Sequence, residues 1–191
     1  MRLRLTALMI SLVLLSGCSG SGDGIRERIE ALRASVAAST EISFHAALIA
    51  DDGITSDRYE LQCIQKDGTL EIRLVYPELI SGVTARISGE NSALHFDGLS
   101  FEAGTVDAFG LSPLYAAEIV LSSLRTGVIS QMRREKRDNV EMFAFRVLCT
   151  EGYDTDIWID AQTLAPCYAE ILSEDRVALH CTISEWSTKE G

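Results

Sequence analysis

The sequence predicts a single α+β domain, in which an antiparallel sheet of about ten strands has its apolar face covered by two helices. Three observations lead there. Runs of alternating apolar and polar residues recur on both sides of one inserted helical segment. A separate amphipathic helix precedes them all. Turn-forming residues divide the runs at short intervals, which suits antiparallel neighbours, and no internal break marks a second domain.

The first element is read in Ile25-Arg26-Glu27-Arg28-Ile29-Glu30-Ala31-Leu32-Arg33-Ala34-Ser35-Val36. Apolar side chains at 25, 29, 32 and 36 form one stripe at helical spacing, and the other faces are charged. The period then changes to two. Ile42, Phe44, Ala46 and Leu48 alternate with Ser43, His45 and Ala47. The pattern returns at Tyr59, Leu61 and Cys63, at Leu70, Ile72, Leu74 and Tyr76, at Val83, Ala85 and Ile87, and at Leu94 and Phe96 with Phe101 following. Asp51-Asp52-Gly53, Lys66-Asp67-Gly68, Gly89-Glu90-Asn91 and Asp97-Gly98 supply the turns between these runs. A meander with one apolar face needs something to cover that face.

Phe109-Gly110-Leu111-Ser112-Pro113 interrupts the strands, with Ser112 placed as an N-cap and Pro113 as the first helical residue. Leu114, Ala117, Val120, Leu121 and Leu124 then recur at three- and four-residue steps until Gly127. Periodicity leaves two readings open here: a plain core helix, or one that also lines a ligand cavity. The only basic cluster, Arg133-Arg134-Glu135-Lys136-Arg137, reads as a solvated connection, with contact to lipid headgroups or an acidic partner as the other reading. Strands resume over 142–148, 156–160, 168–172 and 177–183.

Ahead of the domain, Met1-Arg2-Leu3-Arg4 is positively charged and Leu5 to Leu15 is apolar, the layout of an export signal. The run is too short to span a bilayer, which takes about 20 apolar residues. Leu15-Ser16-Gly17-Cys18 resembles the bacterial lipobox, in which the cysteine is acylated and becomes the new N-terminus. Residues 1–17 are thus expected to be a lipoprotein signal peptide, Cys18 the lipidation site, 18–24 a flexible tether and 25–191 one domain. Cleavage before Cys18 leaves 174 residues and, with Arg2 and Arg4 gone, takes the net charge from −11 to −13. That acidity excludes non-specific nucleic-acid binding and leaves membrane attachment mainly to acyl chains.

No catalytic or metal-binding pattern stands out. His45, His95 and His180 are isolated, there is no Gly-x-Ser-x-Gly elbow, and Asp154 and Asp156 read as the solvent face of a strand entrance. The expectation is a non-enzymatic protein without a cofactor. Beyond Cys18 there are four cysteines, at 63, 149, 167 and 181. Cys167 and Cys181 flank the Ser173-Glu174-Asp175 turn almost symmetrically, so a hairpin disulfide between them is one reading, with Cys63 and Cys149 as the complement. Buried free thiols are the other.

The order of helix, meander, inserted helix and second meander behind a lipobox resembles the LolA/LolB-like lipoprotein-carrier superfamily. The resemblance is carried by Tyr76-Pro77-Glu78-Leu79-Ile80-Ser81-Gly82-Val83-Thr84-Ala85, by Gly89 to Gly98, and by Asp156-Ile157-Trp158-Ile159-Asp160 with Thr163-Leu164-Ala165-Pro166. It implies a strongly curved, unclosed β-barrel whose concave face accepts acyl chains under a helical lid. It also implies a cavity lined by Phe44, Leu61, Leu74, Ile87 and Phe96, with Leu114 and Leu121 from the inserted helix. A filled core needs the same alternation, so both readings stand open. Leu79 and Ile80 fall where LolB-like proteins carry an exposed apolar loop residue that meets membrane or partner, or else tuck under the sheet rim. The arginine that secures the lid in LolA-like carriers has no match in the sequence. The implied function is a membrane-anchored extracytoplasmic lipoprotein that holds a lipid, an acylated or another hydrophobic ligand in cell-envelope biogenesis. An interaction or sensing module for another envelope protein is the second reading.

Overall fold

A computed structural model describes residues 21–51, 55–105, 112–148, 153–174 and 176–191. The signal segment, Cys18 and Cys149 lie outside the described residues. Helix α1 spans Ser21–Ala38, so it begins four residues before Ile25 and takes in part of the stretch expected to be tether. It leads directly into β1 (Ser39–Asp51), followed by β2 (Ser56–Lys66), β3 (Thr69–Tyr76), β4 (Thr84–Ser88), β5 (Asn91–Phe96) and β6 (Leu99–Thr105). Helix α2 (Ala116–Thr126) follows a 3-10 turn at Pro113–Tyr115. Then come β7 (Val128–Arg137), β8 (Val140–Leu148), β9 (Tyr153–Asp160), β10 (Pro166–Ser173) and β11 (Arg176–Glu190).

All eleven strands form one antiparallel sheet in the order β6-β5-β4-β3-β2-β1-β11-β10-β9-β8-β7. Among the described residues it is an unclosed barrel with two helices, the predicted class with one strand more. The extra strand is β7, which contains the basic cluster read as a connection. Its sequence hides it: it is an edge strand, and charged residues blunt an edge against further pairing. Its cations find aromatic partners on the convex face, with the Arg133 guanidinium 5.5 Å from the Trp158 ring centroid and that of Arg137 4.2 Å from the Tyr168 centroid.

Antiparallel register gives the half-barrel two distinct ends. The turns at 67–68, 89–90, 138–139 and 161–165 share one end, while the 77–83 loop and the turn at 97–98 share the other. Helix α1 lies at the first. Its Arg28 donates hydrogen bonds to the carbonyls of Ala161 (2.8 Å) and Gln162 (3.3 Å), and its C-terminus runs straight into β1. The stripe Ile25, Ile29, Leu32 and Val36 is buried against the sheet, as its spacing requires. At about 1.5–3 kcal/mol per fully buried side chain, this stripe outweighs the helix's modest intrinsic propensity.

The strands β6 and β7 are consecutive in the chain yet occupy opposite edges of the sheet. The connection that carries α2 therefore has to cross the concave side. Ala117, Val120, Leu121 and Leu124 face the core, and two buried hydroxyl pairs pin the crossing at both flanks. Tyr115 Oη donates to Ser92 Oγ on β5 (3.2 Å), and Ser123 Oγ to Thr155 Oγ1 on β9 (3.1 Å). The expected Ser112 cap has extended backbone but makes no side-chain cap bond. Gly127 follows α2 where the chain passes tightly: a β-carbon at this position would collide with the Val147 side chain.

Candidate functional site

The concave face changes character across the sheet. On its inner strands and α2, five of the seven residues expected to line a cavity are fully buried: Phe44, Leu61, Leu74, Ile87 and Leu121. They belong to one cluster with the α1 stripe, and Leu114 packs against it partly buried. Phe44 also stacks obliquely on Trp186, with ring centroids 5.3 Å apart. The structure thus brings together residues from β1, β2, β3, β4 and both helices.

Phe96 departs from the expectation. It shares the inner face with Ser92 and Leu94, but it is 45 % exposed. The reason is position: it ends β5, the strand next to the β6 edge of the sheet, and the chain leading into α2 is pinned at the other end of that strand by Ser92. Leu99 opposes Phe96, and Phe101 opposes Leu94, so both extend the same inner face, at 59 % and 57 % exposure. The sequence marks Phe101 as the residue after a strand and says nothing of Leu99. Together these three side chains form an apolar lip that continues the core out to solvent.

The 77–83 loop completes this mouth. It carries a 3-10 turn at Glu78–Ile80, held by the Ser81 N–H donating to the Glu78 carbonyl (3.2 Å). The Gly82 N–H donates to Leu74 O (2.9 Å), and Leu74 N–H to Val83 O (2.8 Å), which fastens both sides of the loop to β3. Leu79 is 91 % exposed and Ile80 41 %, so neither is tucked under the rim. Tyr76, also exposed, stands at the base of the loop on the inner-face side of β3.

A lid fastening absent from the sequence reading is present in the structure. Arg33 of α1 donates from Nε to Leu124 O (2.9 Å) and from Nη2 to Arg125 O (3.2 Å) and Gly127 O (3.0 Å). Its charge sits at the C-terminal end of α2, where carbonyls lack helical partners and the helix dipole favours a cation. One guanidinium so joins the two helices over the core. Sequence carries no sign of it, because the acceptors are backbone atoms.

The proposed Cys167–Cys181 disulfide is not formed. Cys181 lies opposite Ala169, two residues along β10 from Cys167, and a register shift falls between Pro166 and Tyr168. Cys63, Cys167 and Cys181 are free thiols, with Cys63 and Cys181 buried. Burial pushes the Cys181 thiol up to about 12 and raises that of Cys63 too, so both behave as small apolar core residues. Asp156 accepts a two-pronged hydrogen bond from Arg146 (2.8 and 2.7 Å) instead of standing free at a strand entrance. Among the described residues no group of three His, Cys, Asp or Glu side chains is placed to hold a metal, and no helix is long and apolar enough to cross a membrane.

No family model and no curated protein sequence matches the chain. Solved structures do match. A domain from Vibrio parahaemolyticus described as an outer membrane lipoprotein-sorting protein aligns over 87 % of this chain and 94 % of its own, with TM-score 0.51 and 12 % identity. The lipoprotein LppX of Mycobacterium tuberculosis aligns over 87 % and 96 %, with TM-score 0.50 and 13 % identity. A DUF1329 family protein from Desulfovibrio piger aligns over 86 % and 90 %, with TM-score 0.53 and 13 % identity. The chain shares its fold with these three structures. At such identities the likeness is one of fold, and the half-barrel of this chain must be read for function from its own mouth and lid.

Proposed function

We propose that this chain is an extracytoplasmic lipoprotein, anchored through Cys18, that takes the apolar part of a lipid or acylated molecule into the open end of its half-barrel. The observation that carries this reading is the lip of Phe96, Leu99 and Phe101, large apolar side chains on the inner face and roughly half exposed. A monomeric domain leaves such a contiguous inner surface in water at a cost of about 25 cal/mol per Å², and an acyl chain laid along it gains about 0.8 kcal/mol per buried methylene. The role is binding without chemistry. The lip lies beyond the reach of α2, and Arg33 holds the two helices together, so a chain entering past the lip would extend toward the core by parting that pair.

Native mass spectrometry of the full chain carrying Cys18→Ser, purified beside the membrane-extracted protein, tests both halves of the proposal. Retained lipid on the variant supports the binding role, and an acylated N-terminal cysteine on the extracted form supports the anchor. A uniformly empty protein would move the mouth from ligand entry to protein interaction alone.

A further inference from the structure

The mouth has a charge pattern that its apolar lining does not require. We propose that this rim docks a basic, amphipathic segment of a partner protein, laid with its apolar side on Leu79, Phe96, Leu99 and Phe101. Around these side chains the exposed charges are acidic: Asp57 at the start of β2, Glu78 in the loop and Asp97 at the hairpin tip. Cations at this end of β2 to β6 are already occupied or turned away. Arg58 is paired with Glu60 at 2.7 Å, and Arg73, between buried Ile72 and Leu74, points from the convex face. An apolar strip bordered by unneutralised carboxylates fits a segment with Lys or Arg flanking an apolar stripe, and steers it during encounter.

The position of the mouth argues against the bilayer as occupant. An anionic lipid surface repels these carboxylates. With Cys18 acylated, α1 begins only three residues later, so the closed end is held within about 10 Å of the membrane. β3 then separates the 77–83 loop from the closed end by eight residues, roughly 26 Å at strand rise. The mouth thus stands about 26 Å from the end that carries the anchor.

The test uses the full mature chain in zwitterionic nanodiscs and two 18-residue probes of identical Leu/Lys composition. One forms an amphipathic helix, and the other is shuffled so that it has no apolar face. The amphipathic probe is expected to bind saturably at one per chain. Leu79→Ser with Phe101→Ser should weaken it about tenfold, and Glu78→Lys with Asp97→Lys should do the same. Equal binding of both probes, or indifference to the serine pair, would overturn the proposal by showing attraction to net charge alone. Insertion of a fluorophore at position 79 into vesicles in preference to the probe would overturn it in favour of a membrane. These outcomes are independent of lipid retention, so an empty cavity and a vacant docking rim can be told apart.

Discussion

The inner strands of the half-barrel and its β6 edge use the same residue types for opposite purposes. On the inner strands, Phe44, Leu61, Leu74 and Ile87 are buried in the core they share with α1 and α2, and one guanidinium ties the helices together. At the β6 edge, Phe96, Leu99 and Phe101 continue the same inner face and stay half exposed. The difference does not lie in hydrophobicity, since both sets are large and apolar. Nor does it lie in depth along the strands, because buried Leu74 is level with Phe96 and Leu99. It lies in position across the sheet, so stability is concentrated on the inner strands and the edge is free to meet ligand or partner.

Substitutions can break this contrast. Phe44→Ala on the inner strands should cost about 3–5 kcal/mol, because a fully buried ring leaves a cavity among β1, β11 and the core. Chemical denaturation will read this as a lowered midpoint with little change in slope. Arg33→Ala should cost less, about 1–3 kcal/mol, since it strands carbonyls at the end of α2. Its informative readout is hydrogen exchange, which should accelerate in α1 and α2 ahead of the sheet; uniform acceleration would mean that the arginine fastens no lid. Phe101→Ser should change stability by no more than about 0.5 kcal/mol while reducing retained lipid in native mass spectra. A large loss of stability there would erase the distinction between the inner strands and the edge.

Much of the architecture was legible because one physical rule, the period of two, generates it. Each apolar run from Ile42 to Ile183 became a strand, and the breaks at Asp67-Gly68, Gly89-Glu90 and Asp97-Gly98 became turns, while those at Asp52-Gly53 and Glu151-Gly152 lie outside the described residues. The alternation also assigns a face correctly, and Phe96 does point inward with Leu94. What it cannot assign is place across the sheet, and Phe96 is exposed where β5 and β6 approach the edge. β7 escaped because Arg133, Arg134, Lys136 and Arg137 suit an edge and break the apolar pattern that marks inner strands. The cysteine pairing failed on register, which a bulge and two residues of offset decide. Arg33 looks like any other charge on a helix flank until its backbone acceptors are placed in space.

The pairing of β1 with β11 also bears on how the molecule comes into being. It joins Ser39 to Glu190 and Ala50 to Leu179, nearly the two ends of the described chain, in the middle of the sheet. The arms on either side are meanders whose hairpins close over short loops. The central seam must instead close a loop of more than a hundred residues, an entropic cost paid late and one that slows folding relative to local pairing. A chain emerging N-terminus first can form its first arm early, but its curvature must wait for the last strand. Until β11 arrives, β1 is an open edge with Phe44 and Leu48 uncovered on that side, and the exported chain is then most exposed to mispairing.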